Sequence, residues 1–208
     1  MIVDSNMKMD IQRFDKIARE TFAPAHVSIA EQIKEKTGIT KGVCLDVGSG
    51  GGYLSIALAR ITDLDIFLLD NSWEMFDIAL QNIFASDLGT RMRILYGDVH
   101  KIPVNDGLIN LAISRGSVFF WEDKAKAFAE VYRVLAPGGR AYIGGGLGTP
   151  EIRKQIMAKM KQIDKSWFNW LNRNDNAQEE YREALQRACI TNCSVTKSEV
   201  GLWIEIWK

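Results

Sequence analysis

Short apolar segments alternate with segments of helical periodicity along the chain, and this alternation restricts the fold more than any other feature. The apolar segments, expected to be strands, are 42–47, 64–70, 91–98, 108–116 and 140–146. The helical segments are 53–61, 72–84 and 122–139, with Ser72 as an N-cap and Pro137, Gly138 and Gly139 as the expected stop. Strands that alternate with helices form a mostly parallel sheet covered on both faces. We therefore predict a doubly wound, Rossmann-like α/β fold.

The two ends of the chain depart from this rhythm. Residues 10–36 show helical patterns, and one helix is expected to open at Pro24, because proline suits a first turn. Residues 151–189 are also helix-like, and 192–208 read as two strands joined near Gly201. We predict a single domain with a seven-stranded sheet that ends in an antiparallel hairpin. Its predicted parts are a helical lid at 1–36, a core at 40–146, a helical substrate-side insertion at 147–190 and the hairpin at 191–208.

Composition narrows the class of partner. The chain has 208 residues, is 47% hydrophobic, and carries 26 basic and 26 acidic side chains, so its net charge is zero. A neutral domain has no overall attraction to a phosphate backbone or an anionic membrane. No stretch approaches the roughly 20 apolar residues of a membrane span. The three cysteines, Cys44, Cys189 and Cys193, are too few for a disulfide framework, and we expect a cytoplasmic protein.

The first predicted strand runs into a glycine-rich turn, CLDVGSGGGYLS, at residues 44–55. Glycines at 48, 50, 51 and 52 let a ligand approach the backbone, and the following helix directs free N–H groups toward it. Asp70 ends the second strand on the same sheet edge, where a carboxylate can accept hydrogen bonds from ribose hydroxyls. This pattern favours an adenosine-containing ligand, with a tight turn that binds nothing as the alternative. Tyr53 replaces the third glycine of the dinucleotide fingerprint, which disfavours a nicotinamide cofactor.

Five segments in order resemble the class I S-adenosylmethionine-dependent methyltransferases, in particular the small single-domain type found in quinone biosynthesis. They are LDVGSGGGYLSIALA, LLDNSWEMFDIALQN, LYGDVHKIP, NLAISRGSVFFWED and EVYRVLAPGGRAYIGGG, and together they extend from about residue 40 to residue 146. The resemblance implies methyl transfer from S-adenosylmethionine, with S-adenosylhomocysteine as the product.

The resemblance also implies a set of cofactor-binding residues. Gly48, Ser49 and Gly50 would surround the methionine part, and Asp70 would bind the ribose. Asn71, Trp73 and Met75 would flank the adenine, while Asp98, after Gly97 and before Val99, would accept its amino group. Asp46 is expected to orient this site rather than to touch the ligand. Two alternatives stay open, namely that Met75 is a core residue and that Asp70 only caps its strand.

The methyl acceptor is expected to meet the loop at 114–123. Ser114, Arg115, Ser117, Phe120 and Trp121 form a candidate pocket with a positive anchor and aromatic walls, which suits an anionic or planar acceptor. The alternative is that the aromatic residues only pack. His26 in the predicted lid is a further candidate, but no general base is required, because positioning and exclusion of water supply most of the acceleration.

Other functions remain open from the sequence. Arg153, Lys154, Lys159, Lys161 and Lys165 form a basic helical segment. That segment would serve a nucleic-acid or protein methyltransferase, although a solvated helix face is the simpler interpretation. A cofactor-binding module without turnover is the second alternative. No metal is expected, because Cys189 and Cys193 have no histidine near them in sequence.

Overall fold

The structure is a computed structural model that describes residues 11–164, 167 and 177–208. Residues 1–10 of the predicted lid lie outside the described residues. So do residues 165, 166 and 168–176 of the predicted insertion, among them Lys165 of the basic segment.

A seven-stranded sheet forms the centre of the molecule. Its strands are β1 (Lys41–Val47), β2 (Asp63–Asp70), β3 (Met92–Tyr96), β4 (Ile109–Arg115), β5 (Leu135–Gly146), β6 (Cys193–Ser198) and β7 (Gly201–Trp207). Their order across the sheet is β3-β2-β1-β4-β5-β7-β6. The pairs among β1 to β5 are parallel, and β7 is antiparallel to both β5 and β6. The predicted Rossmann-like fold with a terminal antiparallel hairpin is confirmed.

Helices cover both faces of this sheet. They are α1 (Ile11–Lys16), a π-helical turn (Ile17–Thr21), α2 (Ala23–Thr37), α3 (Tyr53–Ala59), α4 (Trp73–Ala85), α5 (Lys124–Val134), α6 (Pro150–Ile163) and α7 (Ala177–Arg187), with a 3-10 turn at Val118–Phe120. Residues of α2, α3, α4 and α6 share one buried apolar cluster, and residues of α5 and α7 share the other. Within the described residues, no helix combines the length and apolar character needed to cross a bilayer.

Two helix ends test the sequence interpretation. The Ser72 N-cap of α4 is confirmed, because its hydroxyl accepts a hydrogen bond from the Met75 N–H at 3.2 Å. The predicted helix at 122–139 is too long, since α5 ends at Val134 and β5 begins at Leu135. Pro137 disfavours helical backbone at the residue before it, so the helix ends ahead of the proline rather than at the glycines.

The strand order places a topological switch point between β1 and β4. Chain connections from β1 lead outward to β2 and β3, whereas β4 and β5 extend on the other side. The carboxyl ends of strands flanking such a point form the crevice in which open α/β sheets bind ligands. We call the ends of β1, β2 and β3 the glycine side of this rim. The ends of β4 and β5, with the segment 11–37 that covers them, are the arginine side.

Candidate functional site

The glycine turn lies at the centre of the rim. Gly48, Gly50 and Gly52 have φ of 68°, 52° and 77°, a backbone region that side chains rarely allow. The Gly48 and Ser49 N–H groups both donate to the Leu69 carbonyl, at 2.8 and 3.1 Å. A Cβ at Gly48 would overlap the Ser117 side chain, so the turn is packed directly against the loop after β4.

Asp70 is joined to this turn by hydrogen bonds. One carboxylate oxygen accepts the Gly50 N–H at 2.8 Å, and the other accepts the Ser72 N–H at 3.0 Å. A carboxylate has about four acceptor positions, so these two bonds orient the group and leave capacity for two hydroxyl donors. The expectation that the glycine turn and Asp70 share one edge therefore agrees with the geometry, and a purely capping role would use only the Ser72 bond.

Asp46 lies beneath the turn rather than on its surface. Its carboxyl group is buried and accepts a 2.7 Å hydrogen bond from the Ser55 hydroxyl of α3. Burial raises the pKa of Asp46 to about 7, with the Ser55 bond opposing the rise and the nearby Asp70 charge adding to it. The residue thus contacts the helix behind the turn, as expected of an orienting group.

Ser49 supplies a test of whether a ligand fits here. Its hydroxyl is buried, yet it has no hydrogen-bond partner among the described residues. Buried hydroxyls are nearly always satisfied, so an orphan in a turn with an open backbone indicates a missing polar partner. A ligand with hydrogen-bonding groups beside Ser49 and hydroxyls near Asp70 would satisfy both, and S-adenosylmethionine meets this requirement.

The residues predicted near the adenine differ in burial and in contact with the glycine turn. Met75 is buried, and its sulfur lies close to Gly50, so it faces the glycine turn as well as the core. Trp73 is exposed and stacks on Tyr96, with ring centroids 4.1 Å apart. Asn71 is exposed on the rim. These positions leave Met75 as the side chain of this group in contact with the turn.

Asp98 follows β3 and is held by a histidine. Its Oδ1 accepts hydrogen bonds from the His100 N–H at 2.7 Å and from the His100 ring. Burial acts against ionisation here, but these hydrogen bonds prevail and lower the pKa of Asp98. The His100 Nε2 accepts the Asp123 N–H at 3.2 Å, so His100 joins Asp98 to the start of α5. Next to them Val99 is buried, and Gly97 packs against Leu69 and Pro103.

On the arginine side, segment 11–37 contacts the rim through three side chains. The guanidinium of Arg115 lies over the Phe22 ring, with 4.8 Å between its carbon and the ring centroid, and its Nη1 is 3.4 Å from His26 Nε2. The His26 ring stacks on Tyr53 at 5.7 Å, and the Tyr53 hydroxyl donates to Asp15 at 2.6 Å. Burial, and then the Arg115 charge, lower the pKa of His26, so its neutral ring accepts from the arginine.

Three other predicted pocket residues form a separate group. The Ser117 hydroxyl donates to the Val47 carbonyl at 2.8 Å and accepts the Trp121 Nε1–H at 3.2 Å, and the Ser114 hydroxyl lies 2.7 Å away. Ser114 and Trp121 are buried, whereas Phe120 is exposed. The structure thus brings Arg115 and His26 together and places Ser114, Ser117 and Trp121 in a hydrogen-bonded support beneath the turn.

Helix α2 contacts the rim at one end and packs on the flank of the sheet along the rest of its length. Ile29, Ala30 and Ile33 are buried in the apolar cluster with α3, so this half of α2 packs on the flank of the sheet. The stretch from Asp15 to His26 contacts Tyr53 and Arg115 at the rim. In the described part of the chain, no group of three or more His, Cys, Asp or Glu residues is arranged to hold a metal ion.

Sequence reasoning missed several contacts at this rim. Tyr53 was noted only for excluding a dinucleotide, and Asp15, Phe22 and Asn82 were not singled out. The Asn82 side chain donates to the Gly51 carbonyl at 2.8 Å and so fixes the turn from α4. A helix cap can be recognised from residues a few positions apart. These contacts have no such local pattern, because each joins residues far apart in the chain.

Comparisons with known proteins identify the family of this chain. A family model described as a methyltransferase domain matches residues 45–143. A protein from Methanococcus maripaludis, described as an S-adenosyl-L-methionine-dependent methyltransferase, has a crystal structure that superposes with a TM-score of 0.92. It is 44% identical, and the match covers 95% of this chain and 91% of that one. The chain belongs to the class I S-adenosylmethionine-dependent methyltransferases.

More distant methyltransferases share only part of their length with this chain. The 2-methyl-6-phytyl-1,4-hydroquinone methyltransferase 1 of rice, Oryza sativa, is 24% identical over 73% of this chain and 48% of its own. The arsenite methyltransferase of Halobacterium salinarum is 33% identical over 48% of this chain and 26% of its own. The match thus covers about half the length of the rice relative. The cofactor of the present methyltransferase is S-adenosylmethionine.

Proposed function

We propose that this methyltransferase moves a methyl group to a small-molecule acceptor by in-line displacement. S-adenosylmethionine supplies the methyl group on a sulfonium, which is an excellent leaving group. The work left to the protein is to hold both reactants in line and to keep water away. No side chain is proposed as a general base.

We assign the cofactor to the glycine side. Gly48, Ser49 and Gly50 would surround its methionine part, and the free acceptor positions of Asp70 would take the ribose hydroxyls. Asn71 and Met75, with Gly97, Asp98 and Val99, would border the adenine, and Asp46 would support the turn from below. The orphaned Ser49 hydroxyl and the two backbone bonds that orient Asp70 support this assignment.

The observation that supports a small-molecule acceptor is the cover over the arginine side. Phe22 and His26 contact Arg115, Tyr53 is bonded to Asp15, and Asp15 lies next to Gly51, so residues 15–26 cross the rim beside the glycine turn. A cover so close to the turn suits an enclosed molecule better than a polymer chain. We therefore propose the lid role for this stretch and the acceptor site beneath it. The relatives named for a hydroquinone and for arsenite act, by those names, on small molecules.

Other parts of the proposal follow the sequence division. Residues 40–146 act as the cofactor core and 147–190 as the substrate-side insertion. The three free cysteines are compatible with a reducing cytoplasm. The exposed residues Lys154, Lys159 and Lys161 lie on α6 opposite the buried Ile156 and Met160, which is the arrangement of a solvated helix face and does not favour nucleic acid.

A transfer assay with isotope-labelled S-adenosylmethionine tests the proposal. The protein is incubated with a native extract separated into small metabolites, nucleic acids and proteins. We expect label to enter the metabolite fraction, with an Asp70→Ala variant as the control for cofactor dependence. Label in either polymer fraction, or no transfer by a protein that binds the cofactor in calorimetry, would contradict it.

A further inference from the structure

Arg115 is a partly buried cation at the end of β4. Its Nε donates to the Gly146 carbonyl at 3.1 Å, and the Phe22 ring covers one face of the guanidinium. Burial lowers the pKa of Arg115 to about 10, so the group still carries its charge at neutral pH. The residue as a whole is only half-buried, so part of its surface stays accessible.

Within the described residues, no Asp or Glu carboxylate forms an ion pair with Arg115. Its remaining partners are a carbonyl, an aromatic face and a neutral imidazole. A charge that is taken out of water loses much of its hydration, and a cation–π contact recovers only a small part of that loss. The contacts present therefore compensate only part of the loss, and an anion is the missing complement.

The geometry of the guanidinium defines the kind of anion. Its Nε is used by Gly146, and the Nη1 contact to His26 is long at 3.4 Å. The Nη donors are thus available for the parallel pair of bonds that a carboxylate or phosphate accepts from arginine. Inorganic or organic oxyanions fit this arrangement, and neutral ligands do not use it.

The place of Arg115 decides which reactant carries the anion. Two residues further along, Ser117 packs against Gly48, so Arg115 lies next to the turn assigned to the sulfonium end of the cofactor. Its guanidinium contacts Phe22 and His26, which belong to the cover over the rim. We propose that Arg115 binds a carboxylate or phosphate group of the methyl acceptor. This inference rests on the proposed function, because it places the acceptor beneath the cover.

Calorimetry on the full chain first separates the cofactor from the acceptor. S-adenosylhomocysteine and methylthioadenosine, which lacks the amino-acid part, are titrated into the wild type, Arg115→Gln and Arg115→Lys. Arg187→Gln on the exposed face of α7 is the charge-matched control. We expect S-adenosylhomocysteine to bind all four proteins within about twofold. If Arg115→Gln weakens S-adenosylhomocysteine but not methylthioadenosine, Arg115 binds the cofactor's own carboxylate and the proposal is wrong.

The second step uses anionic probes on protein saturated with S-adenosylhomocysteine. Benzoate and phenyl phosphate are compared with benzamide, a neutral analogue of similar shape. We expect the wild type to bind one of the anions at least tenfold more tightly than benzamide, and the preferred probe distinguishes a carboxylate from a phosphate acceptor. Arg115→Gln should weaken that probe by about tenfold to a hundredfold, Arg115→Lys should weaken it less, and Arg187→Gln should match the wild type.

The outcomes distinguish the two proposals. Equal affinity of the wild type for anions and benzamide overturns the anion site even if Arg115→Gln fails to fold, because that comparison needs no variant. An unchanged anion affinity in folded Arg115→Gln overturns it as well. Failure of S-adenosylhomocysteine to bind the wild type would instead contradict the proposed cofactor assignment.

Discussion

The glycine side and the arginine side of the rim treat the charge of a buried group in opposite ways, as Asp46 and Arg115 show. Asp46 beneath the glycine turn has a pKa raised to about 7, so it can lose its charge by taking a proton near neutral pH. Arg115 has a pKa lowered only to about 10 and keeps its charge. A buried carboxyl group can thus be neutralised by solvent protons, whereas a buried guanidinium needs an anionic partner.

The difference teaches what each side requires of its ligand. On the glycine side, backbone N–H groups and one hydroxyl satisfy Asp70 and Asp46 before any ligand arrives. On the arginine side, the charge is partly compensated by neutral groups. The carboxylates of the first side are therefore oriented before a ligand binds, whereas the charge of the second side still lacks an anionic partner among the described residues.

The largest expected effect comes from filling the glycine turn. Gly48→Ala introduces a Cβ that overlaps Ser117 at a φ of 68°, so the turn must move away from the loop after β4. We expect binding of S-adenosylhomocysteine to fall by more than a hundredfold in calorimetry. Gly107→Ala is the matched control, since Gly107 also has a φ of 68° but open space around its Cβ position. It should cost about 1 to 2 kcal/mol of stability and leave binding intact. Equal binding losses in both variants would show that backbone strain alone is responsible.

The second prediction concerns pH and Asp46. Between its ordinary pKa of 3.8 and the folded value of about 7, the native protein holds a proton that the unfolded chain has released. The free energy of unfolding should therefore decrease by about 1.4 kcal/mol per pH unit as pH rises through this window, and this contribution should level off above it. Asp46→Asn removes this contribution. The free energy of unfolding of the variant should therefore increase relative to that of the wild type as pH rises from 5 to 8.

Urea unfolding at several pH values measures this difference. Asp65→Asn on the exposed side of β2 is the control, because its carboxylate is solvated in both states. Parallel stability curves for the wild type and Asp46→Asn across this range would contradict a raised pKa in the folded protein.

The third prediction tests the two carboxylates that we propose as cofactor ligands. Asp70→Ala should weaken S-adenosylhomocysteine binding by about 2 kcal/mol, or roughly thirtyfold, because two ribose hydroxyls lose a charged acceptor. Asp98→Ala should act in the same direction but less, since one adenine amino group is involved. Asp65→Ala serves as the control on β2. An affinity that does not change in folded Asp70→Ala would remove Asp70 from the site.

The smallest effect is expected at the cover. Tyr53→Phe removes the hydroxyl that donates to Asp15 but keeps the ring that stacks on His26. Hydrogen-exchange protection of residues 11–21 should fall about fivefold, in line with one hydrogen bond of about 1 kcal/mol, while binding of S-adenosylhomocysteine stays the same. Asp15→Ala should act through the same bond, so the double variant should lose little more than either single one. Additive losses would mean that the two residues hold the cover independently.

Periodicity predicted the fold because it depends on local patterns. Strand β2 and helix α4 were visible as an apolar run and a capped helical segment, and the structure agrees with both. The end of α5 was misplaced because three turn-forming residues suggested a stop at 137–139, whereas the restriction that Pro137 imposes acts on the residues before it. Local rules thus gave element types more accurately than element ends.

The two sides of the rim also differ in how much of their structure local sequence patterns could predict. The glycine turn and Asp70 belong to adjacent strand–helix units, so chain order alone indicated that they share an edge. The surroundings of Arg115 come from Phe22, His26 and Gly146, which are far apart in the chain and meet only after folding. Sequence could name Arg115 as a positive anchor, but it contained no signal for the neutral groups that surround the charge.

The position of β7 has a consequence for how the protein is made. Ile143 of β5 pairs with Ile204 of β7, about sixty positions later in the chain, and β7 lies between β5 and β6. During synthesis, one edge of β5 therefore waits for its neighbour while α6 and α7 are being translated. An open strand edge can pair with another chain, so the nascent protein passes through an interval in which aggregation competes with folding. Slower translation of the segment between β5 and β7 would lengthen that interval and lower the yield of soluble protein.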